Sequence, residues 1–593
     1  MHIPSGDSRL RIGGLERAVR ALMALSLLAA IGAGLLIQSP ARAQEKGLLS
    51  TSSVTPADVV LYAEISLDTS SAQLQQFDKL LARLGSTESL IDAINKSATD
   101  PSSDIDLTGA EVAVAVLPSA LAEGASVGSE IVGGATSGES TSDLAQQVSS
   151  QAGNQGAVVI IKPTDIASVE ASMKKTASDE ANNATVTYKG ADITTYGDTE
   201  GGSTAYAVVG DYLFAGSAAD DIKAFVDASQ PGADTLANLD AFTKTSDLLP
   251  ADRVAYAFLN GPVTIDAATK AAGDRSMGDA IREVFATFSG YTGLVMTADD
   301  AGVRFESVIV PASGTANAKP AGSAVDLDFA SRMPADTVVY ASGFDLGRSM
   351  LMNALGLGIG LAFMGISSGA TPTDQATPMP MSIDGIYEAL ARTFGINLKT
   401  ALLDQMTGPY GFGVWGTDAT DISGVNAVLL SGAKDSGIIG DSLGTISLLV
   451  QAAGQGRINV TSKQLPGGSV NHVEFQSSGS TVAIDYGVIG DRLVLGLNDG
   501  AETALNSPTD SLADADSFKT AMSYLPAEYQ AVYFVDVAQL SATSAGASTT
   551  ISGQDAISDF LGTPVAASAA QSFAAVTHIE SGYAHTSAIL VVP

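Results

Sequence analysis

The chain has 593 residues and contains no cysteine, one tryptophan and four histidines. The lack of cysteine excludes disulfide bonds, thiolate catalysis, cysteine-based zinc sites and a lipid anchor on cysteine. Basic residues are also scarce, since 30 lysines and arginines face 64 acidic residues and the formal net charge is −34. A surface this acidic repels phosphate backbones, and we therefore expect no nucleic-acid partner. The excess charge serves either solubility or the capture of cations or basic partners.

Residues 1–43 have the order of a secretory signal. A basic segment precedes the apolar run 21–37, and the triplet 41–43 (Ala-Arg-Ala) follows. This order predicts a signal peptide cleaved after Ala43 and an exported protein, either periplasmic or extracellular, with no stable membrane span after cleavage. An uncleaved anchor is the alternative, because the apolar run is close to the shortest length that spans a membrane.

The sequence repeats itself at a distance of 276 to 282 residues. Four short patterns recur in the same order: the Pro-Ala-Asp openers at 56–58 and 334–336, Gly-Asp-x-Leu at 210–213 and 490–493, a phenylalanine followed by Pro-Ala-acid at 242–252 and 518–528, and strands ending at Pro311 and Pro593. They predict a tandem duplication. The predicted divisions are a signal peptide at 1–43, a first repeat at 44–311, a linker at 312–324 and a second repeat at 325–593.

The two openers and the Pro-Ala-Asp at 250–252 are each followed by an apolar run that contains a tyrosine, namely Tyr62, Tyr340 and Tyr256 respectively. Proline cannot donate a hydrogen bond to a strand ladder, so it is suited to the position just before a strand. We interpret these tyrosines as core residues on strands, and a binding role is the alternative.

Strand-like segments, hairpin turns and amphipathic helices alternate along both halves. Residues 157–162 predict a strand, and residues 74–84 predict a helix with leucines and a phenylalanine on one face. The predicted fold is therefore α+β: a tandem duplication of a unit with a mainly antiparallel sheet and helices packed on one face. Two segments rich in glycine, 119–154 and 351–382, are predicted to be insertions.

Two motifs resemble catalytic or cofactor signatures but lack the context that such sites need. Residues 365–369 match Gly-x-Ser-x-Gly, but a segment rich in threonine and proline follows where a helix is required. Residues 411–416 match Gly-x-Gly-x-x-Gly, but they lie inside a predicted strand with no helix after it. We therefore expect no catalytic residue, no cofactor and no cofactor-binding residue.

His578 and His585 flank Ser581-Gly582, which predicts a hairpin with the two imidazoles facing each other. A zinc site needs a third or fourth ligand, so we expect a solvated cross-strand pair and no metal-ligating residue. The acidic turns at 299–300 and 498–499 lack the oxygen spacing of a calcium loop and read as surface turns.

The opener beginning at Val54 (VTPADVVLYAEISLD), with its following helix and Gly85, resembles a bacterial family of exported domains of unknown function. The Gly-Asp-x-Leu strands at Gly210 and Gly490 are similar to that family as well. The resemblance implies no active site, since none is known for the family.

No coherent catalytic constellation is present, so we expect an exported, non-enzymatic binding or scaffold protein whose partner is an unknown protein or small-molecule ligand. The natural site for a ligand is between the two halves. One alternative is a periplasmic carrier or chaperone for lipid or apolar clients, which would use the Met- and Gly-rich segment 349–381. Another is a hydrolase with an unrecognised site.

Overall fold

The computed structural model describes most of the chain. The described residues are 49–86, 89–92, 107–120, 156–179, 182–198, 202–271, 290–312, 328–344, 400, 402–416, 422–453, 459–477, 480–544, 570–580 and 583–593. The predicted signal peptide, most of the predicted linker and the segment 349–381 lie outside these residues.

Ten strands of the described residues belong to the first half. They are β1 Leu61–Ser66, β2 Glu111–Val116, β3 Ala157–Lys162, β4 Ala184–Tyr188, β5 Ala191–Asp198, β6 Gly202–Val209, β7 Tyr212–Gly216, β8 Ala255–Asn260, β9 Tyr291–Asp299 and β10 Gly302–Val310. Every pairing among them is antiparallel, and the order across the sheet is β4-β5-β6-β7-β3-β2-β1-β8-β9-β10.

The second half contributes ten strands in the same arrangement. They are β11 Thr337–Phe344, β12 Pro409–Trp415, β13 Asn426–Gly432, β14 Asn459–Leu465, β15 Gly468–Ser477, β16 Ser480–Ile489, β17 Arg492–Leu497, β18 Ala531–Val535, β19 Ser572–Glu580 and β20 Tyr583–Val591. Their order, β14-β15-β16-β17-β13-β12-β11-β18-β19-β20, repeats that of the first half. This recurrence agrees with a tandem duplication, which itself stays a prediction.

The last strands of the two halves, β10 and β20, pair with each other. Their antiparallel register runs from Gly302 opposite Val591 to Ile309 opposite Ala584. All twenty strands therefore form one continuous antiparallel sheet, and the two halves are arranged about this central pair with approximate two-fold symmetry. The predicted α+β class with a mainly antiparallel sheet is confirmed.

Helices lie on both faces of the sheet rather than on one. The α-helices are α1 Ala72–Arg83, α2 Ile166–Asp179, α3 Ala219–Ala228, α4 Asp240–Asp247, α5 Gly261–Ala271, α6 Asp328–Ser331, α7 Ser436–Ala453, α8 Gly500–Asn506, α9 Asp516–Ser523 and α10 Val537–Ser544. None of these described helices is long and apolar enough to cross a membrane.

Alternation along the inner strands explains why both faces are covered. In β2, Val112 and Val114 belong to the cluster that contains α1, whereas Ala113 and Ala115 belong to the cluster that contains α3 and α4. Successive side chains of a strand point to opposite faces, so a strand that is apolar at every position needs a layer on each side. The second half follows the same rule, with α7 on one face and α8 and α9 on the other.

The helix predicted at 74–84 is observed as α1. Ser71 caps its N-terminus by accepting a hydrogen bond from the Leu74 amide, and the face that includes Phe77 and Leu81 is buried. The strand predicted at 157–162 is observed with the same bounds.

A buried ionic network distinguishes the first half from the second. Glu64, on β1, accepts hydrogen bonds from the Tyr62 hydroxyl at 2.7 Å and from Arg253 at 3.2 Å, and both Glu64 and Arg253 are buried. Burial raises the pKa of Glu64 to about 7, although the nearby Arg253 charge opposes that shift. The residue 278 positions later is Ser342, which donates instead to the carbonyl oxygen of Tyr410. The two halves thus share a topology but not their buried polar groups.

Gly411 and Gly413 of the 411–416 motif lie in β12, where they allow close packing. A Cβ on Gly411 would lie 2.5 Å from the Cβ of Phe329, and one on Gly413 would lie 2.6 Å from the sulfur of Met333. Both contacts are with the segment 328–333 that covers this strand. The motif therefore has a packing role here, as its position inside a strand indicates.

We predict that Gly411→Ala lowers the free energy of unfolding by about 1–3 kcal/mol, because the added methyl group overpacks the contact with Phe329. The matched control is Gly440→Ala in α7, where no atom lies within 4 Å of the added Cβ. Removal of a helical glycine there stabilises the protein by about 0.5–1 kcal/mol. Urea denaturation of both variants measures the effect, and equal midpoints would contradict it.

Candidate functional site

The centre of the sheet brings together polar side chains from both halves. Glu306 of β10 lies opposite Ser587 of β20, and each has a charged or titratable residue two positions before it, Arg304 and His585 respectively. Residues two apart on a strand share a face. All four side chains therefore belong to one face of the sheet, grouped around the approximate two-fold axis.

A pocket of about 510 Å³ lies at this junction. Its lining comes from three segments: β10, β20 and the turn that ends α9. The lining residues are Arg304, Glu306, Ser523, Tyr524, Leu525, Pro526, His585, Ser587 and Ala588. The volume is within the range of small-molecule sites, which are about 300–1,000 Å³. We call this cavity the junction pocket.

Arg304 connects the β9–β10 turn to the wall of the junction pocket. Its Nε lies 2.5 Å from Asp299 Oδ2, and its Nη1 donates to the carbonyl oxygen of Tyr524 at 2.6 Å. The other oxygen of Asp299 accepts the amides of Ala301 and Gly302. The acidic turn at 299–300 is therefore a structural turn that holds Arg304 in place.

His585 is the most buried polar side chain of the junction pocket, with 3% of its surface exposed. Its Nε2 is buried and has no hydrogen-bond partner among the described residues. Burial lowers its pKa to about 4, and the positive charge that His578 can carry acts in the same direction. The imidazole is therefore neutral near pH 7.

The predicted pairing of His578 with His585 is confirmed, since the two residues are opposite each other in the β19–β20 register. The prediction that this pair is solvated is wrong for His585. His585 is buried, and residues 523–526, at the end of α9, line the same pocket.

Glu306 is the acidic residue in the lining of the junction pocket. Burial raises the pKa of its carboxyl group, and the neighbouring Arg304 charge opposes part of that shift. Its Oε2 lies 3.9 Å from Nε2 of His585, which is too far for a direct hydrogen bond. The pocket thus holds a partly buried carboxyl group beside a neutral imidazole, and the two make no direct hydrogen bond.

A second titratable cluster lies on the outer strands of the second half. The Nδ1 of His472 is 2.6 Å from the buried Asp485, which also pairs with Lys463 at 3.1 Å. Burial lowers the pKa of His472, but its hydrogen bonds to Asp485 and Glu474 raise the net value. Its Nε2 contacts Glu474 rather than a hydroxyl group. This cluster is therefore an ion-pair network without a nucleophile.

The other residues singled out from the sequence are structural or fall outside the described residues. Tyr62, Tyr256 and Tyr340 are fully buried in the core. The Gly-x-Ser-x-Gly motif at 365–369 lies outside the described residues. In the part of the chain that the structure describes, no group of three or more acidic or histidine residues could hold a metal ion.

Sequence reasoning missed Arg304, Glu306, Tyr524 and Ser587 as pocket residues. A signal for two of them exists, because Arg304 and Glu306 alternate with apolar residues in β10 and so mark one polar face of that strand. Their partners lie more than 200 positions further along the chain, and no local pattern connects them.

The observed fold and pocket define a two-part α+β protein with a polar pocket between its halves. Residues 18–558 match the sequence profile of the family described as Protein of unknown function (DUF3352). This match covers most of the chain, and the protein therefore belongs to that family.

No curated protein matches the chain. Crystal form III of TP0453 is similar over 46% of this chain and 83% of its own, with 10% identity and a TM-score of 0.22. Crystal form I of TP0453 is similar over 46% of this chain and 82% of its own, with 10% identity and a TM-score of 0.20.

We predict that protonation of His585 lowers the stability of the protein on acidification, whereas protonation of the buried Glu64, whose pKa is raised to about 7, acts in the opposite direction. The folded pKa of His585, about 4, is below the usual value of about 6.5, so the unfolded chain takes up the proton first. The stabilisation is present above pH 6.5 and is lost as the pH falls towards 4, by about 3 kcal/mol for a shift of this size.

Denaturant titrations between pH 4 and 7 measure this dependence. His585→Asn should lose less stability than the parent protein between pH 7 and pH 4, whereas His578→Asn keeps the buried imidazole and should behave like the parent protein. Identical slopes in the parent protein and His585→Asn would show that His585 does not titrate in this way.

Proposed function

We propose that the protein is an exported, non-enzymatic binding protein whose small-molecule ligand occupies the junction pocket. The observation that carries this proposal is the cavity of about 510 Å³ at the junction of the halves, which is lined by Arg304, Glu306 and the buried His585.

The position of the junction pocket supports the proposal. It lies where two similar halves meet, and ligand sites occur preferentially at such interfaces. Its lining combines Arg304, Glu306 and His585 with the apolar Leu525 and Pro526. A few polar groups that set orientation, beside apolar surface, are typical of small-molecule sites.

Export rests on the order of basic segment, apolar run and small-residue triplet in residues 1–43. The repeated Pro-Ala-Asp opener and the resemblance to exported bacterial proteins agree with it. The carrier alternative depends on the segment 349–381, which lies outside the described residues, so the junction pocket is the better-supported site.

We predict that native mass spectrometry of the protein, purified gently from its own host, shows a chain starting at Gln44 with a bound small-molecule adduct. The variant Ser587→Tyr places a large side chain in the junction pocket and should abolish the adduct. The control Thr185→Tyr makes a similar change on the exposed edge strand β4 and should retain it.

An adduct that survives Ser587→Tyr would place the ligand elsewhere. A chain that still includes residues 1–43 would show that this segment is an anchor rather than a cleaved signal.

A further inference from the structure

Among the described residues the continuous sheet ends in two edge strands, β4 in the first half and β14 in the second. Strand β4 is exposed at four of its five positions and carries no charged side chain. Strand β14 contains Lys463, which pairs with the buried Asp485 at 3.1 Å. Charged residues on an edge strand are a common protection against pairing with other chains. Of the two edges, β4 is the one that lacks this protection.

The register of the β4–β5 hairpin shows which backbone groups of β4 face outward. Its two-residue turn, Lys189-Gly190, has positive φ at both positions, and Tyr188 is paired with Ala191. Residues that flank such a turn form a hydrogen-bonded pair, and the two kinds of pair then alternate along the hairpin. The N–H and C=O groups of Thr185 and Thr187 therefore point away from β5. No hydrogen bond to these four groups occurs among the described residues.

The four outward groups are complementary to those of a second β4 strand. In an antiparallel pair centred on Val186, Thr185 lies opposite Thr187 of the second copy, and Thr187 lies opposite Thr185 of the second copy. Each of these pairs can exchange two hydrogen bonds, so four bonds satisfy every outward group of both strands. At the centre, Val186 meets its own counterpart in a non-hydrogen-bonded pair, where side chains are closest. Its side chain is 55% exposed, so the contact buries apolar surface.

The molecule already uses this mode of contact between its halves. Strands β10 and β20 are the last strands of two similar units, and they pair antiparallel about an approximate two-fold axis. A pair of β4 strands would extend the same sheet across two molecules. Because β4 lies at the opposite end of the first half's sheet from β10, this pairing does not involve the junction pocket.

We propose that β4 is a self-association edge, through which two copies of this chain form an antiparallel, two-fold dimer. The contact uses one five-residue strand from each copy, and interfaces below about 1,200 Å² belong to weak, transient complexes. The dimer is therefore reversible and depends on protein concentration. It goes beyond the proposed ligand binding and does not depend on it.

Charge gives the dimer a characteristic dependence on salt. No charged side chain of β4 would lie opposite its own copy, but the net charge of −34 makes two chains repel each other at long range. Salt screens this repulsion, so the dimer strengthens as ionic strength rises. An edge that binds a partner of opposite charge would show the reverse dependence.

Sedimentation velocity of the full mature chain tests the association. The weight-average sedimentation coefficient should rise with protein concentration, and more steeply in about 500 mM than in about 50 mM sodium chloride. Val186→Lys places two ammonium groups at the centre of the pair and should leave the protein monomeric. The control Val186→Thr keeps a β-branched side chain and should retain the dimer. Since Val186 is largely exposed, both variants should fold, which circular dichroism checks.

Single cysteines test the register, because the chain has no other thiol. In the proposed pair the two Cα atoms at position 186 lie about 4.5 Å apart, within the range of a disulfide. Val186→Cys should therefore form a covalent dimer under mild oxidation. Ala184→Cys is exposed on the same face of β4, but its counterpart lies about 13 Å further along the strand and should not be reached. Ser462→Cys on β14 is an exposed control on the other edge.

Equal cross-linking of the three cysteine variants would indicate random collision and would overturn the proposal. A sedimentation coefficient that is independent of concentration at both salt concentrations would also overturn it. A dimer that persists in Val186→Lys, or that weakens as salt is added, would show that another surface or another kind of contact joins the two copies.

Discussion

The antiparallel pairing of β10 with β20 is the interaction on which the rest of the architecture depends. Each half is a ten-stranded sheet with layers on both faces, and each ends on a strand that would be an exposed edge if the halves were apart. Unpaired edges are liable to associate with other chains, and the two halves remove this liability by pairing with each other. The same pairing creates the junction pocket, because it places Arg304 and Glu306 beside His585 and Ser587.

The halves share their strand order but differ in the side chains that they contribute to the junction pocket. At corresponding places near the axis the first half has Arg304 and Glu306, whereas the second has His585 and Ser587. This asymmetry gives the pocket one acidic group, one neutral imidazole and one arginine held by its own turn. A perfectly symmetric junction would place two glutamates or two arginines close together, and like charges destabilise each other at such a distance. The difference between the halves therefore avoids a like-charge contact at the axis.

Local patterns predicted the local elements well. The strand 157–162 and the helix α1 depend on hydrophobic periodicity and a cap, which lie within a few residues of one another. The helix layers on both faces and the junction pocket could not be predicted from local sequence patterns. They depend on contacts such as that of Glu306 with Ser587, which lie 281 positions apart, and on the segment 523–526, which lines the pocket with His585. The His578–His585 register was predictable from its turn, but its burial was not.

Disulfide trapping across the central pair measures the junction most directly, since the natural chain has no cysteine to interfere. Ser307 lies opposite Thr586, and Thr577 is one strand further away. Neighbouring strands are about 5 Å apart and alternate ones about 10 Å, and a disulfide spans at most about 7 Å between Cα atoms. The pair Ser307→Cys with Thr586→Cys should therefore form a bond under mild oxidation, and Ser307→Cys with Thr577→Cys should not. Failure of the first pair, or equal bonding in both, would contradict a continuous sheet through β10 and β20.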